Sequence, residues 1–227
     1  MTPKQKDSGA AVQVKICGIR DPGHAALCAE HGACAVGCVF YPKSPRCIDP
    51  DRAREIAAAV QSRIPAVGVF VDAGQEQILR IRDRCGIQFA QLHGTESPAL
   101  VERLLAEGMT VIKTLFATRD PLFADAECYR PSGFLVECGR GFLPGGNAEA
   151  WEWSAASVID RRRPLLLAGG LHAGNVRRAI QQARPDGVDV SSGVESSPGV
   201  KDPERIRSFL QAVAACVPET PTRRMFP

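Results

Sequence analysis

Several residues with chemistry to offer stand where short apolar runs end. Cys17 closes Lys15-Ile16-Cys17 and is followed by Gly18. A lone thiol is usually packed as a small apolar group, but Gly18 opens the site beside it. Lys15, on the same strand face, would lower the thiol pKa toward that of a usable base. Glu137 ends the apolar run Phe134-Leu135-Val136. A carboxylate there is costly unless it is solvated, paired or functional. A half-buried carboxyl can act as a general acid near neutral pH. Arg46, after Tyr41-Pro42-Lys43-Ser44-Pro45, is either an exposed loop charge or a bidentate fork for a carboxylate or phosphate. His93, in Gln91-Leu92-His93-Gly94, could bond a substrate or cap a turn. Asp189 could accept sugar hydroxyl bonds or pair with Arg46.

Two further runs end in Gly169-Gly170 and in Ser191-Ser192-Gly193. Glycine lets backbone N–H groups approach an anion, and a serine hydroxyl adds a donor. Gly169, Gly170, Ser192 and Gly193 are therefore candidate phosphate ligands, and a phosphorylated small molecule is the expected partner. The alternative is that these glycines merely turn the chain.

These positions matter only if one architecture brings them together. Eight short, β-branched, nearly continuous apolar runs occupy 12–17, 33–40, 66–71, 87–92, 110–115, 133–137, 164–168 and 187–190, the pattern of strands buried on both faces. Between them lie helix-like stretches at 21–31, 49–61, 75–85, 96–107 and 175–183, with a last one at 203–216. The first two begin Asp-Pro, a capping residue followed by proline at the first helical position. The stretches at 120–129 and 148–158 carry weaker helical patterns. Eight alternations in one domain-sized chain predict an α/β, single-domain (β/α)8 TIM barrel rather than an open sheet. In such a barrel the strand C-termini hold the chemistry. Residues 12–216 would form the barrel, 1–11 a flexible N-terminal extension, and 217–227 a loose C-terminal tail.

Composition narrows the function classes. At 227 residues the chain suits one domain. A net charge of +3 spread along the chain, with 6% aromatics, lacks the basic stripe of a nucleic-acid binder. No apolar run reaches the roughly 20 residues that cross a bilayer, and no secretory signal opens the chain, so the cytoplasm is the expected compartment. Nine cysteines without CxxC or paired histidine spacing argue against a disulfide framework and against a zinc site.

Six colinear blocks carry a family resemblance. They are Val14-Lys15-Ile16-Cys17-Gly18-Ile19; Phe40 to Arg46; Val67-Gly68-Val69-Phe70-Val71; Gln91-Leu92-His93-Gly94; Ala168-Gly169-Gly170-Leu171 with Asn175-Val176; and Val188 to Glu195 with Pro198-Gly199 and Lys201-Asp202. In order from about residue 12 to 216, the chain resembles the phosphoribosylanthranilate isomerases of tryptophan biosynthesis. The resemblance implies an Amadori rearrangement of N-(5-phosphoribosyl)anthranilate to 1-(2-carboxyphenylamino)-1-deoxyribulose 5-phosphate, with neither metal nor organic cofactor. It implies Cys17 as general base, Arg46 on the anthranilate carboxylate and the glycine-serine loops on the phosphate, in a monomer or homodimer. Lys15, His93 and Asp189 join Arg46 as substrate-binding candidates.

One departure stands out. Where the family has an aspartate as general acid at the end of strand six, this chain has Glu137, and the following loop reads Gly145-Gly146-Asn147-Ala148-Glu149-Ala150-Trp151-Glu152-Trp153. Glutamate keeps the proton chemistry but extends the carboxyl by about 1 Å, a displacement that can cost about 100-fold. Three readings follow: an isomerase with a glutamate acid, a diverged paralogue isomerising a related aminated ribose phosphate, or a non-catalytic barrel binding a phosphorylated ligand.

Overall fold

Apolar runs that are buried on both faces must close on one another, and here they do. A computed structural model describes residues 11–61, 63–140, 151–159 and 162–227. Strands β1 (Gln13–Cys17), β2 (Ala35–Val39), β3 (Ala66–Phe70), β4 (Phe89–Leu92), β5 (Thr110–Phe116), β6 (Gly133–Glu137), β7 (Leu165–Leu167) and β8 (Gly187–Val190) run in sequential order around a closed barrel. Every neighbouring pair is parallel, and β8 returns to β1 with Lys15 opposite Asp189. The chain is thus a single-domain (β/α)8 barrel.

Among the described residues six α-helices cover the outside: α1 (Pro22–Glu30), α2 (Pro50–Val60), α3 (Gln75–Cys85), α4 (Pro98–Ala106), α5 (Val176–Ala183) and α6 (Pro203–Ala214). Four start with an acceptor side chain followed by proline. Asp21, Asp49, Ser97 and Asp202 each accept hydrogen bonds from first-turn amides, which satisfies donors the helix itself leaves unpaired. After β5 and β6 the helices shrink to 3-10 turns at Phe123–Cys128 and Trp153–Val158. These are the two stretches whose helical pattern is weak. Residues 141–150, which include most of the altered loop after β6, lie outside the described residues. A small hairpin, β9 (Glu195–Ser197) with β10 (Val200–Lys201), follows β8. Among the described residues no helix is long and apolar enough to cross a membrane.

Inward-facing residues alternate along each strand, as the two-residue period of a strand requires. β1 sends Gln13, Lys15 and Cys17 into the barrel from bottom to top. The lower interior is packed by Ala35, Val67, Ile112, Leu135 and Leu166. Met225 and Phe226 join this cluster, so the C-terminal tail is not the loose end expected from the sequence. Phe226 is 1% exposed, and its ring stands 5.9 Å from that of Phe89. The backbone of this segment is held by two side chains, Gln13 and Asp186. Gln13 Oε1 accepts from the Met225 and Phe226 amides, and Gln13 Nε2 donates to the Phe226 carbonyl. Arg223 N also donates to Asp186 Oδ1 at 2.7 Å. The segment 217–227 lacks the periodicity that would mark it as core; only the open lower mouth of the barrel gives two terminal apolar residues somewhere to go. Residues 1–10 lie outside the described residues.

Removing the Phe226 side chain leaves a void under the barrel. Phe226→Ala is expected to cost about 3–5 kcal/mol of stability, read as a lower thermal midpoint with kcat of the folded protein retained. A loss below about 1 kcal/mol would show that the tail is not part of the core.

Candidate active site

At the upper mouth the strand ends surround a cavity of about 730 Å³. Cys17, Arg46, His93, Glu137, Gly169, Gly170, Asp189 and Ser192 all line it. Eight of the ten residues singled out in the sequence therefore share one wall.

Glu137 is buried at the top of β6, and His93 Nε2 lies 3.0 Å from its Oε2. The imidazole is fixed from behind. Gln91 Nε2 stands 2.8 Å and Thr114 Oγ1 3.0 Å from His93 Nδ1. An amide nitrogen can only donate, so with Gln91 in this orientation Nδ1 accepts and the ring proton sits on Nε2, facing Glu137. Phe116 packs edge-on against the ring, with centroids 5.5 Å apart. His93, expected on the substrate or in a turn, thus reaches the carboxyl that faces the cavity. Gln91 and Thr114 carry no assigned role in the sequence reading. Both are inward positions on β4 and β5, a fact visible only once the barrel is closed. Glu137 fits because its neighbour lacks a side chain: a Cβ at Gly169 would stand 3.3 Å from Glu137 Cγ and 2.8 Å from Trp151 Nε1.

Cys17 faces a different constellation. Lys15, wholly buried, donates to Asp189 Oδ1 at 2.9 Å. A buried ammonium needs such a partner, since an unpaired one would neutralise instead. Burial alone would lower the Lys15 pKa, but Asp189 and Cys17 outweigh it and hold the group above its ordinary value. The sequence expectation that Lys15 lowers the Cys17 pKa needs correcting. Burial pushes the thiol up, and Lys15, already paired with Asp189, opposes that shift without reversing it. Asp189 pairs with Lys15 and not with Arg46, because the β1–β8 register places the two residues side by side. Room for both Lys15 and Cys17 comes from Gly37, where a Cβ would stand 2.8 Å from Cys17 Sγ and 3.1 Å from Lys15 Nζ.

The two glycine loops meet beside this pair. Gly169 and Gly170 both have positive φ, 92° and 64°, backbone that favours glycine. Asn175 clamps their loop, donating to Gly170 O and accepting from His172 N, each at 2.8 Å. Ser192 lines the cavity, whereas Gly193 packs against the other loop: a Cβ there would stand 1.9 Å from Leu171 O. Gly193 therefore brings the loops together rather than facing the cavity. Arg46 is buried with its guanidinium bonded to Glu195, Nε to Oε1 and Nη2 to Oε2, both at 2.8 Å. Burial would raise the Glu195 carboxyl, but Arg46 and Lys201 outweigh it and hold it below the usual range.

The family model for N-(5′-phosphoribosyl)anthranilate isomerase matches residues 14–212. The enzyme of that name from Desulfatibacillum aliphaticivorans is 53% identical over 200 residues, covering 88% of this chain and 92% of that one. The crystal structure of phosphoribosyl anthranilate isomerase from Thermotoga maritima superposes with a TM-score of 0.82 at 40% identity, covering 89% of this chain and 98% of that one. A phosphoribosyl anthranilate isomerase solved in complex with reduced 1-(o-carboxyphenylamino)-1-deoxyribulose 5-phosphate superposes with a TM-score of 0.77 at 38% identity, with the same coverage. With fold and sequence both similar over almost nine-tenths of its length, the chain belongs to the N-(5′-phosphoribosyl)anthranilate isomerase family.

Proposed function

We propose that this chain isomerises N-(5′-phosphoribosyl)anthranilate to 1-(2-carboxyphenylamino)-1-deoxyribulose 5-phosphate, with Glu137 as general acid and Cys17 as general base. One observation carries the reading: a carboxyl on β6 and a thiol on β1, three strands apart around the barrel, line one cavity that also contains Arg46 and both glycine loops. A sugar lying between them meets an acid on one side and a base on the other.

His93 donates to Glu137 Oε2, which leaves Oε1 to carry the transferable proton. That proton goes to the furanose ring oxygen, the bond from this oxygen to C1 breaks, and the anilino nitrogen becomes a protonated Schiff base. The C2 proton is now acidic and passes to Cys17 as thiolate. Tautomerisation of the resulting enolamine puts the carbonyl at C2. Gly169, Gly170 and Ser192 hold the phosphate, and Arg46 the aryl carboxylate. Support for a glutamate in the acid role comes from the space Gly169 leaves beside its extra methylene.

The test is turnover. Purified protein added to freshly made N-(5′-phosphoribosyl)anthranilate is expected to quench the anthranilate fluorescence at a rate proportional to enzyme. Absence of turnover, with inorganic phosphate or ribose 5-phosphate still bound, would reject this reading in favour of a non-catalytic phosphorylated-ligand barrel.

A further inference from the structure

The hairpin β9–β10 makes contacts that the proposed chemistry does not use. Glu195 holds two of the five N–H groups of Arg46, both on the Nε/Nη2 edge. This leaves Nη1 and the second Nη2 hydrogen as a two-pronged edge, on a residue that lines the cavity. Lys201 Nζ donates to Glu195 Oε1 at 2.7 Å and to Ser191 O at 2.9 Å, and Ser191 Oγ donates to Cys17 O at 3.1 Å. Arg46, Glu195 and Lys201 are all buried.

Steric fit reinforces the clamp. The Arg46 stem lies across Gly18, where a Cβ would stand 2.5 Å from Arg46 Cδ. At the hairpin turn a Cβ on Gly199 would stand 2.7 Å from Pro45 O, next to Arg46 in the loop after β2. Three of the six sequence blocks, those holding KICG, YPKSPR, and SSGVE with PGVK, thus become one device. Its three charged groups sum to +1, since Arg46 and Lys201 are positive and Glu195 negative.

We propose that Glu195 and Lys201 are specificity-determining positioning residues: they present the free edge of Arg46 to a carboxylate on the aryl ring and leave the clamp with a net positive charge that an anionic aryl group offsets. The proposal rests on the function given above. A carboxylate-bearing substrate closes the charge sum to zero. An uncharged aniline analogue displaces water from the clamp and leaves the charge unpaired, which penalises the wrong ligand as well as favouring the right one.

The experiment compares two substrates made by condensing ribose 5-phosphate with anthranilate or with aniline, identical except for the carboxylate. Wild type is expected to favour the anthranilate compound in kcat/KM by about 100-fold or more, the discrimination an unpaired buried charge can give. Glu195→Gln removes the two-point hold on Arg46 but raises the charge sum to +2, and the lost position is expected to outweigh the added charge: KM for that compound should rise about 10–100-fold with kcat within about three-fold, and the aniline compound should be converted as by wild type, so the ratio collapses. Lys201→Met should shift the ratio in the same direction. Equal loss on both substrates would mean that the hairpin is only structural, and an unchanged ratio would also overturn the proposal. Should Glu195→Gln fail to fold, Glu195→Asp decides: it keeps the charge one methylene short, and a wild-type ratio from it would reject the clamp. A wild type inactive on the anthranilate compound overturns the proposed function and this inference together; an active wild type with an unaffected ratio overturns this inference alone.

Discussion

Glu137→Gln is expected to lower kcat by about 10²–10⁴-fold, the range for losing a positioned general acid. Glutamine keeps the size of the side chain and still accepts from His93 Nε2 through its amide oxygen, so the cavity wall stays in place. What disappears is the proton for the ring oxygen. KM should change little, because phosphate and carboxylate are held elsewhere in the cavity. Glu137→Asp is the informative companion. It retains the acid but withdraws it by about 1 Å, for which a loss of about 100-fold is expected. Steady-state kinetics by fluorescence would check both. A Glu137→Gln enzyme within about five-fold of wild type would fall outside the expected range and remove Glu137 from the acid role.

Cys17→Ser should lower kcat by a similar 10²–10⁴-fold, since a hydroxyl is a far poorer base than a thiolate. Thiolate reactivity separates this from simple misfit. The base acts deprotonated and Glu137 acts protonated, so in the pH profile of turnover the gain of one form is offset by the loss of the other, whereas alkylation of Cys17 by iodoacetamide depends on the thiolate alone. Burial pushes the Cys17 thiol up from its ordinary value of 9.0, so its alkylation rate should still be rising beyond pH 9. An alkylation rate of Cys17 that is already flat below pH 8 would contradict a raised thiol.

The strands were legible because a strand buried on both faces is written as a continuous apolar run, which few other elements share at that length. The Asp-Pro starts mark the first two helices because the cap and the proline act locally, and the structure adds the same device at Ser97 and Asp202. Where a role depends on a neighbour around the barrel, the sequence ran out. By sequence alone Asp189 can pair with Arg46, yet its partner is fixed by barrel closure, which sets β8 beside β1. Glu195 and Lys201 stood inside recognised blocks without any role. Nothing local shows that a hairpin folds back over the loop carrying Arg46. His93 was placed in the site, but its link to Glu137 spans two strands and is held by Gln91 and Thr114, residues that read as ordinary strand interior.

The gaps left by Gly18, Gly37 and Gly169 have a bearing on how this barrel can evolve. None of the three contributes a functional group through a side chain, yet a methyl at each would strike Arg46, the Cys17–Lys15 pair, or Trp151 beside Glu137. Each such change is one nucleotide away, from a glycine codon to an alanine codon. In a library selected for activity these three positions should tolerate as little variation as Cys17 itself. Such a map would trace the outline of the catalytic groups as a mould does, through the places where nothing is allowed to stand.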